Sequence, residues 1–310
     1  MYRISMNKKL NRLKKNIIKD KYLLILAAPI LIYYFIFHYI PMYGAVIAFL
    51  DFTPGYGIWG SPWAGFRWFK EFFQSVFFWR LIFNTLTLSV LSLIFSFPVP
   101  IIFALLLNEV KRKNLKRMIQ TVSYLPHFIS LVVMVGILSN FLSPTDGIVN
   151  QILRKAGMEP IDFMGESIWF RPLYIGSGIW QSFGWNSIIY MAALTSIDPN
   201  LYEAARIDGC NRWQEMRHIT IPGLMPTAVM LLILAVGNLM NVGFEKIILM
   251  YSPATYDVAD VISTYVYRRG ILDAQYSFGA AVGLFNSVVN FILLISVNRI
   301  SKKITQIGLW

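Results

Sequence analysis

The chain alternates between long apolar blocks and short polar connections. Six stretches of 25 residues or more lack Asp, Glu, Lys and Arg: 22–50, 81–108, 118–145, 172–197, 219–244 and 274–298. A helix of about 20 residues crosses a hydrocarbon core of about 30 Å, so each stretch is long enough to span a membrane. Spans are predicted at about 22–47, 84–107, 121–142, 174–195, 224–243 and 279–298. Pro29, Pro41, Pro98 and Pro100 fall inside the first two and are expected to kink them. The first run is too long for a signal peptide and no small-residue cleavage site follows it, so it reads as a retained span.

Composition supports this pattern. Apolar residues make up 56% and charged ones only 14%, against about 25% charged in a soluble domain. A soluble enzyme, a disordered chain and a disulfide scaffold are excluded, leaving an all-α polytopic membrane protein of about six helices. The single cysteine, Cys210, rules out a disulfide within the chain and a cysteine-based metal cluster. A net charge of +12 raises the possibility of nucleic-acid binding, but the charge flanks apolar runs and is better read as a membrane-orientation signal. Residues 1–21, 109–120, 196–222 and 299–310 together hold 19 Lys and Arg in 72 residues, and 51–83, 143–173 and 244–278 hold 9 in 99. The nearly threefold density predicts both termini and residues 196–222 on the cytoplasmic side. The chain is thus organised as a basic tail (1–21), a six-span region (22–298) and a second cytoplasmic tail (299–310).

Among the connections, 52–66 is rich in Gly and Pro and reads as an ordered turn. The aromatic, charge-interleaved run from Trp68 to Trp79 reads as a helix lying in the membrane interface. Residues 196–222 carry the clearest local signals. Asp198 is placed to cap a helix that Pro199 opens, and Gly209 to end it in a left-handed conformation. Asn211 with Gln214 marks a second cap, opening a helix through about His218, and Pro222 is expected to end it. Arg206 is expected to face solvent.

This loop resembles the EAA loop of binding-protein-dependent ABC importer permeases. The family pattern is EAA, three residues, G, nine residues, I-x-L-P. Here Glu203-Ala204-Ala205 precedes Gly209 by three residues, and Ile219-Thr220-Ile221-Pro222 follows nine later. Ile221 in place of Leu is the one departure. Six fixed positions match by chance on the order of 10⁻⁷ per window. Tyr39-Ile40-Pro41-Met42-Tyr43-Gly44 and Gly57-Ile58-Trp59-Gly60-Ser61-Pro62-Trp63 are similar to segments of carbohydrate-importer permeases, above all the oligosaccharide and polysaccharide branch that includes alginate importers. The resemblance implies a type I importer permease fold in a bacterial cytoplasmic membrane. It also implies a second homologous permease, an ATPase dimer that uses ATP and Mg, and an extracytoplasmic binding protein that delivers a carbohydrate. In that family the loop docks on the ATPase, which assigns the contact to Glu203, Ala204, Ala205, Asp208, Gly209, Ile219 and Pro222. This chain is expected to bind no cofactor itself.

Polar residues within the spans are candidates for a substrate path. They are Trp180, Gln181, Trp185, Asn186 and Tyr190 in the fourth span, Asn238 and Asn241 in the fifth, and Asn286 and Asn290 in the sixth. Amides and aromatic faces suit the hydroxyl rim and C–H faces of a sugar; the same residues also serve to tie helices together. Gly279, Gly283 and Ser287 form a small-residue line read as helix packing, His38, His127 and His218 read as structural, and Glu245 with Lys246 reads as a helix-end pair. No phosphate-binding loop of the G-x-x-x-x-G-K-[ST] type is present, so ATP hydrolysis is assigned to another chain. A proton- or ion-coupled carrier and a non-transport membrane interaction protein are the alternatives. The first is disfavoured because no carboxylate falls in mid-span.

Overall fold

The computed structural model describes residues 19–309; the predicted basic tail therefore lies, up to residue 18, outside the described residues. What is described is helical, apart from loops and one isolated antiparallel bridge between Leu50 and Trp63. That bridge orders the 52–66 turn, with Trp68 Nε1 donating to Leu50 O at 2.8 Å behind it. Helix α1 spans Lys21–Phe49, α2 Arg67–Gln74 and α3 Phe78–Asn108. Next come α4 (Lys113–Phe128), α5 (Leu131–Leu142), α6 (Ile148–Lys155) and α7 (Ser167–Thr195). The chain continues with α8 (Pro199–Ile207), α9 (Arg212–Gly237), α10 (Phe244–Met250), α11 (Ile262–Val266) and α12 (Tyr276–Thr305).

Helices α1, α3, α9 and α12 are long and apolar enough to cross a membrane, and α4 with α5 adds a fifth if the pair is one span. The third span is not straight: α4 and α5 meet at 97° around Ile129 and Ser130. The fourth, α7, has 29 residues but is too polar to count with the others. It packs against α3, α4 and α9, and a helix enclosed by protein needs less lipid-compatible surface. The prediction of about six spans weighed only charge, which does not show which span is bent or which is enclosed by its neighbours.

Proline is absorbed rather than used as a stop. Before Pro41 a π-turn runs Phe35–Tyr39, and before Pro222 another runs Met216–Thr220, with Ile221 N–H donating to Met216 O. The wider turn relieves the clash between the proline ring and the preceding carbonyls. The expectation that Pro222 ends its helix is therefore wrong; α9 continues through Pro222 and Pro226 to Gly237. Span five instead stops at Gly237, short of the predicted 243, and residues 238–243 are irregular. Helix α12 runs on to Thr305, so most of the predicted tail from 299 is helix.

Contacts sort the connections into two groups. Arg212 lies 3.8 Å from Glu109, joining the 109–112 turn to the 196–222 loop at one end. At the other, Phe52 N–H donates to Ser277 Oγ at 2.9 Å, Asn84 Nδ2 donates to Asp257 O at 2.8 Å, and Arg269 pairs with Glu71 at 3.3 Å. The pairing of 109–120 with 196–222, and of 51–83 with 244–278, agrees with the basic-residue density. The 244–278 segment, read as a loop, is among the most buried parts: Ala259, Asp260, Val261 and Thr264 are inaccessible. Gly279 meets Gly270 backbone to backbone, an added Cβ lying 2.9 Å from Gly270 Cα, while Gly283 faces open space.

Candidate functional site

Two places carry chemistry: the 196–222 loop and a cavity among α3, α7, α9 and the 238–243 segment. In the loop, Asp198 caps α8 by accepting the Asn200 N–H at 2.9 Å. At the other end Gly209 has φ +81°. There Cys210 N–H donates to Ala205 O at 2.9 Å and Gly209 N–H to Arg206 O at 3.1 Å. This double closure requires a left-handed residue between, a conformation that costs any side-chain-bearing residue about 1–2 kcal/mol. Asn211 and Gln214 form the predicted capping box, with reciprocal bonds of 2.8 and 3.0 Å.

Two further links hold the helices of the loop together. Tyr202 Oη and Thr220 Oγ1 share a hydrogen bond of 3.0 Å, and Arg206 Nε donates to Glu215 Oε1 at 2.9 Å. Arg206 is exposed as expected, yet it has a partner. Glu203, Ala204, Asp208 and Pro222 lie on the surface, and Ala205 and Ile219 are half-buried. Ile207 and Trp213 are 86% and 67% exposed beside them, an apolar surface unusual on a charged loop.

The cavity encloses about 390 Å³, within the roughly 300–1,000 Å³ usual for small-molecule sites. Ser89, Ser92 and Ser96 line it from α3, Tyr174, Asn186 and Tyr190 from α7, and Asn238, Asn241 and Gly243 from the irregular segment. Irregular backbone in a membrane protein needs internal partners. Asn290 Oδ1 accepts the Met240 N–H at 2.9 Å, and Tyr174 Oη accepts that of Gly243 at 3.1 Å. Asn286 Nδ2 donates to Asn241 Oδ1 at 2.8 Å, and Asn241 Nδ2 to Asn238 Oδ1 at 2.6 Å.

Of the predicted path residues, Asn186, Tyr190, Asn238 and Asn241 meet at this cavity. Asn286 reaches it through Asn241 and lines a separate cavity with Phe244 and Tyr267. Gln181, Trp185 and Trp180 lie elsewhere. Gln181 Nε2 donates to Ile129 O at 2.8 Å, Trp185 stacks on His127, and Trp180 is exposed on the surface of α7. Sequence reasoning missed Ser89, Ser92 and Ser96, although their three- and four-residue spacing marks one helix face. Among the described residues the Oγ atoms of Ser89 and Ser92 are buried without a hydrogen-bond partner. The helix-end pair of Glu245 and Lys246 does not form. Lys246 is buried, donating to Tyr174 O at 2.6 Å with its ammonium 4.7 Å from the Tyr174 ring centroid, while Glu245 is exposed.

A family model described as binding-protein-dependent transport system inner membrane component matches residues 96–306. The chain belongs to that family. The permease is 45% identical over 292 residues to Protein LplB of Bacillus subtilis (strain 168), covering 94% of this chain and 92% of that one. It is 43% identical over 302 residues to the polygalacturonan/rhamnogalacturonan transport system permease protein YteP of the same organism, covering 97% and 94%. Among solved structures it superposes with a TM-score of 0.87 and 46% identity on a chain of a bacterial ABC transporter involved in the import of the acidic polysaccharide alginate, covering 95% of this permease and 99% of that chain. The same score and identity relate it to the bacterial alginate ABC transporter in complex with alginate pentasaccharide-bound periplasmic protein. The matched region takes in α7, the 196–222 loop and α9, so the loop read from its sequence lies within the family's own boundaries.

Proposed function

We propose that the chain is the permease subunit of an ATP-driven importer that passes an oligosaccharide across a bacterial cytoplasmic membrane. The observation that carries this reading is continuity. Helix α7 lines the cavity with Tyr174, Asn186 and Tyr190 and leads, after three residues, into α8, which bears Glu203-Ala204-Ala205. Movement of an ATPase bound at α8 therefore reaches the cavity through one helix. The ATPase dimer uses ATP and Mg; this chain contributes no cofactor. A second, homologous permease supplies the other half of the pathway, and a binding protein delivers substrate from outside. Both termini and the 196–222 loop face the cytoplasm, supported by the basic-residue bias and by the grouping of connections at the two ends.

The cavity supports a hydroxyl-rich cargo. It offers amides, tyrosines and two unpaired serine hydroxyls. Its lining holds no carboxylate, so an acidic sugar would meet no repulsion there, and the buried Lys246 ammonium lies behind Tyr174. This fits an acidic oligosaccharide of the kind named for the polygalacturonan and alginate relatives. The test is uptake of labelled oligogalacturonides and of neutral oligosaccharides by the transporter assembled with its partners. Alanine at Asn186, Asn238 or Asn241 is expected to lower uptake of the preferred cargo while the complex still assembles. Normal uptake by all three variants would exclude the cavity from the path. Cys210 should resist an impermeant thiol reagent added outside intact cells; labelling there would overturn the orientation.

A further inference from the structure

From Gln181 onward, residues of α7 divide between two faces. Asn186 and Tyr190 face the cavity. Gln181, Gly184 and Trp185, three and four residues apart, share another face, and all three meet the bent third span. At the bend the backbone leaves the helical pattern, so its carbonyls lose their partners inside the helix, a heavy cost in an apolar setting. Gln181 Nε2 supplies a donor to Ile129 O at 2.8 Å. One turn on, the Trp185 indole lies parallel to the His127 ring, 4.6 Å between centroids and 4° between planes, and Phe128 meets its edge at 5.6 Å. Between them Gly184 lets the two backbones touch: a Cβ there would lie 2.1 Å from Ser123 O. An amide, an absent side chain and an aromatic ring thus form a socket shaped to the last two turns of α4 and the bend itself.

We propose that this socket makes α4 and α7 one rigid body, so that displacement of the 196–222 loop, which follows α7 directly, carries α4 and the bend with it. Gln181, Gly184 and Trp185 are then positioning residues for transport rather than contacts to the sugar. Packing alone also holds α7 to α3, but that contact offers no polar lock at a break in the backbone. The face is specific because each component answers a different need of the bend: a donor for its free carbonyl, room for its backbone, and a ring for its exposed aromatic pair. This inference rests on the reading of the chain as an importer permease.

The test follows the distance between spin labels at Arg117 on α4 and Thr195 at the end of α7, both exposed. The labels are placed in a Cys210→Ser background in the complete transporter, compared without nucleotide and with ATP and vanadate. In the parent the distance is expected to be the same in both states. Gln181→Leu combined with Trp185→Ala should let it shift between them, whereas Trp185→Phe, which keeps a ring against His127, should behave as the parent. A distance that changes in the parent, or stays fixed in the double variant, would overturn the socket. Gln181→Leu alone preserves side-chain size, and a shift intermediate between parent and double variant is expected from it. If the ATPase fails to associate with the parent, it is the importer reading that falls, a result distinct from either distance outcome.

Discussion

The 196–222 loop and the 244–278 segment look alike in sequence: both connect apolar runs, and each carries three Lys and Arg. In the folded chain they are opposites. The loop is an exposed pair of helices whose shape is set by bonds between neighbours, from Asp198 to Asn200, Ala205 to Cys210 and Asn211 to Gln214. The segment is a buried insert whose shape is set from afar. Asn84 donates to Asp257 O and Asp260 O, and Thr85 Oγ1 accepts the Ile262 N–H at 3.1 Å. The Asp260 carboxylate, 1% exposed, lies 2.6 Å from Arg268 and 3.8 Å from Arg80. Charge in a connection thus sits on an exposed surface in one case and forms an internal brace in the other.

The sharpest way to break this contrast is at Asp260. Asp260→Ala leaves the facing arginines uncompensated and is expected to destabilise the chain by about 3–5 kcal/mol. Thermal unfolding of the purified protein in detergent measures it, and an unchanged transition would mean the segment is no brace. Gly209→Val should cost less, about 1–2 kcal/mol, but act where Asp260 does not. Uptake is expected to be lost and ATPase association weakened, with the spans still folded and the partner permease still bound. Normal uptake with the ATPase attached would remove the loop from the coupling path. Smallest is Arg206→Gln. The Arg206 side chain is 66% exposed in its pair with Glu215, so water screens the pair and thermal unfolding is expected to be unchanged, with uptake close to normal. A large loss of uptake would show that the pair, and not the glycine turn alone, holds α8 in its working orientation.

The same division explains what was legible beforehand. The caps of α8 and α9 and the left-handed Gly209 follow rules that operate over three to six residues, and all were readable from the sequence. So were Asn186, Tyr190, Asn238 and Asn241 as polar residues in apolar runs, though not which of their neighbours would share the cavity. Gln181 and Trp185 carry the same local signal but turn to the bend, because helical phase relative to a partner depends on packing. The bend is marked locally only by Pro126 and Ser130, and Pro222 looked like a stop because the π-turn that accommodates it has no simple sequence mark. Asp260 was invisible as a buried group because its arginine and amide partners lie on elements far apart in the chain.

That accommodation of Pro222 has a mechanical consequence. A helix that ended there would leave a flexible joint between the loop and the span; instead α9 is a single lever arm of 26 residues. At 1.5 Å per residue it is about 39 Å long, so a tilt of about 5° at one end sweeps the other through about 3 Å. The swept end is Gly237, immediately before Asn238 and Asn241 at the cavity. The leverage comes from the continuity of the helix: Pro222 and Pro226 each withhold one N–H from its ladder, and the π-turn carries the bonding past Pro222 through Ile221 N–H to Met216 O.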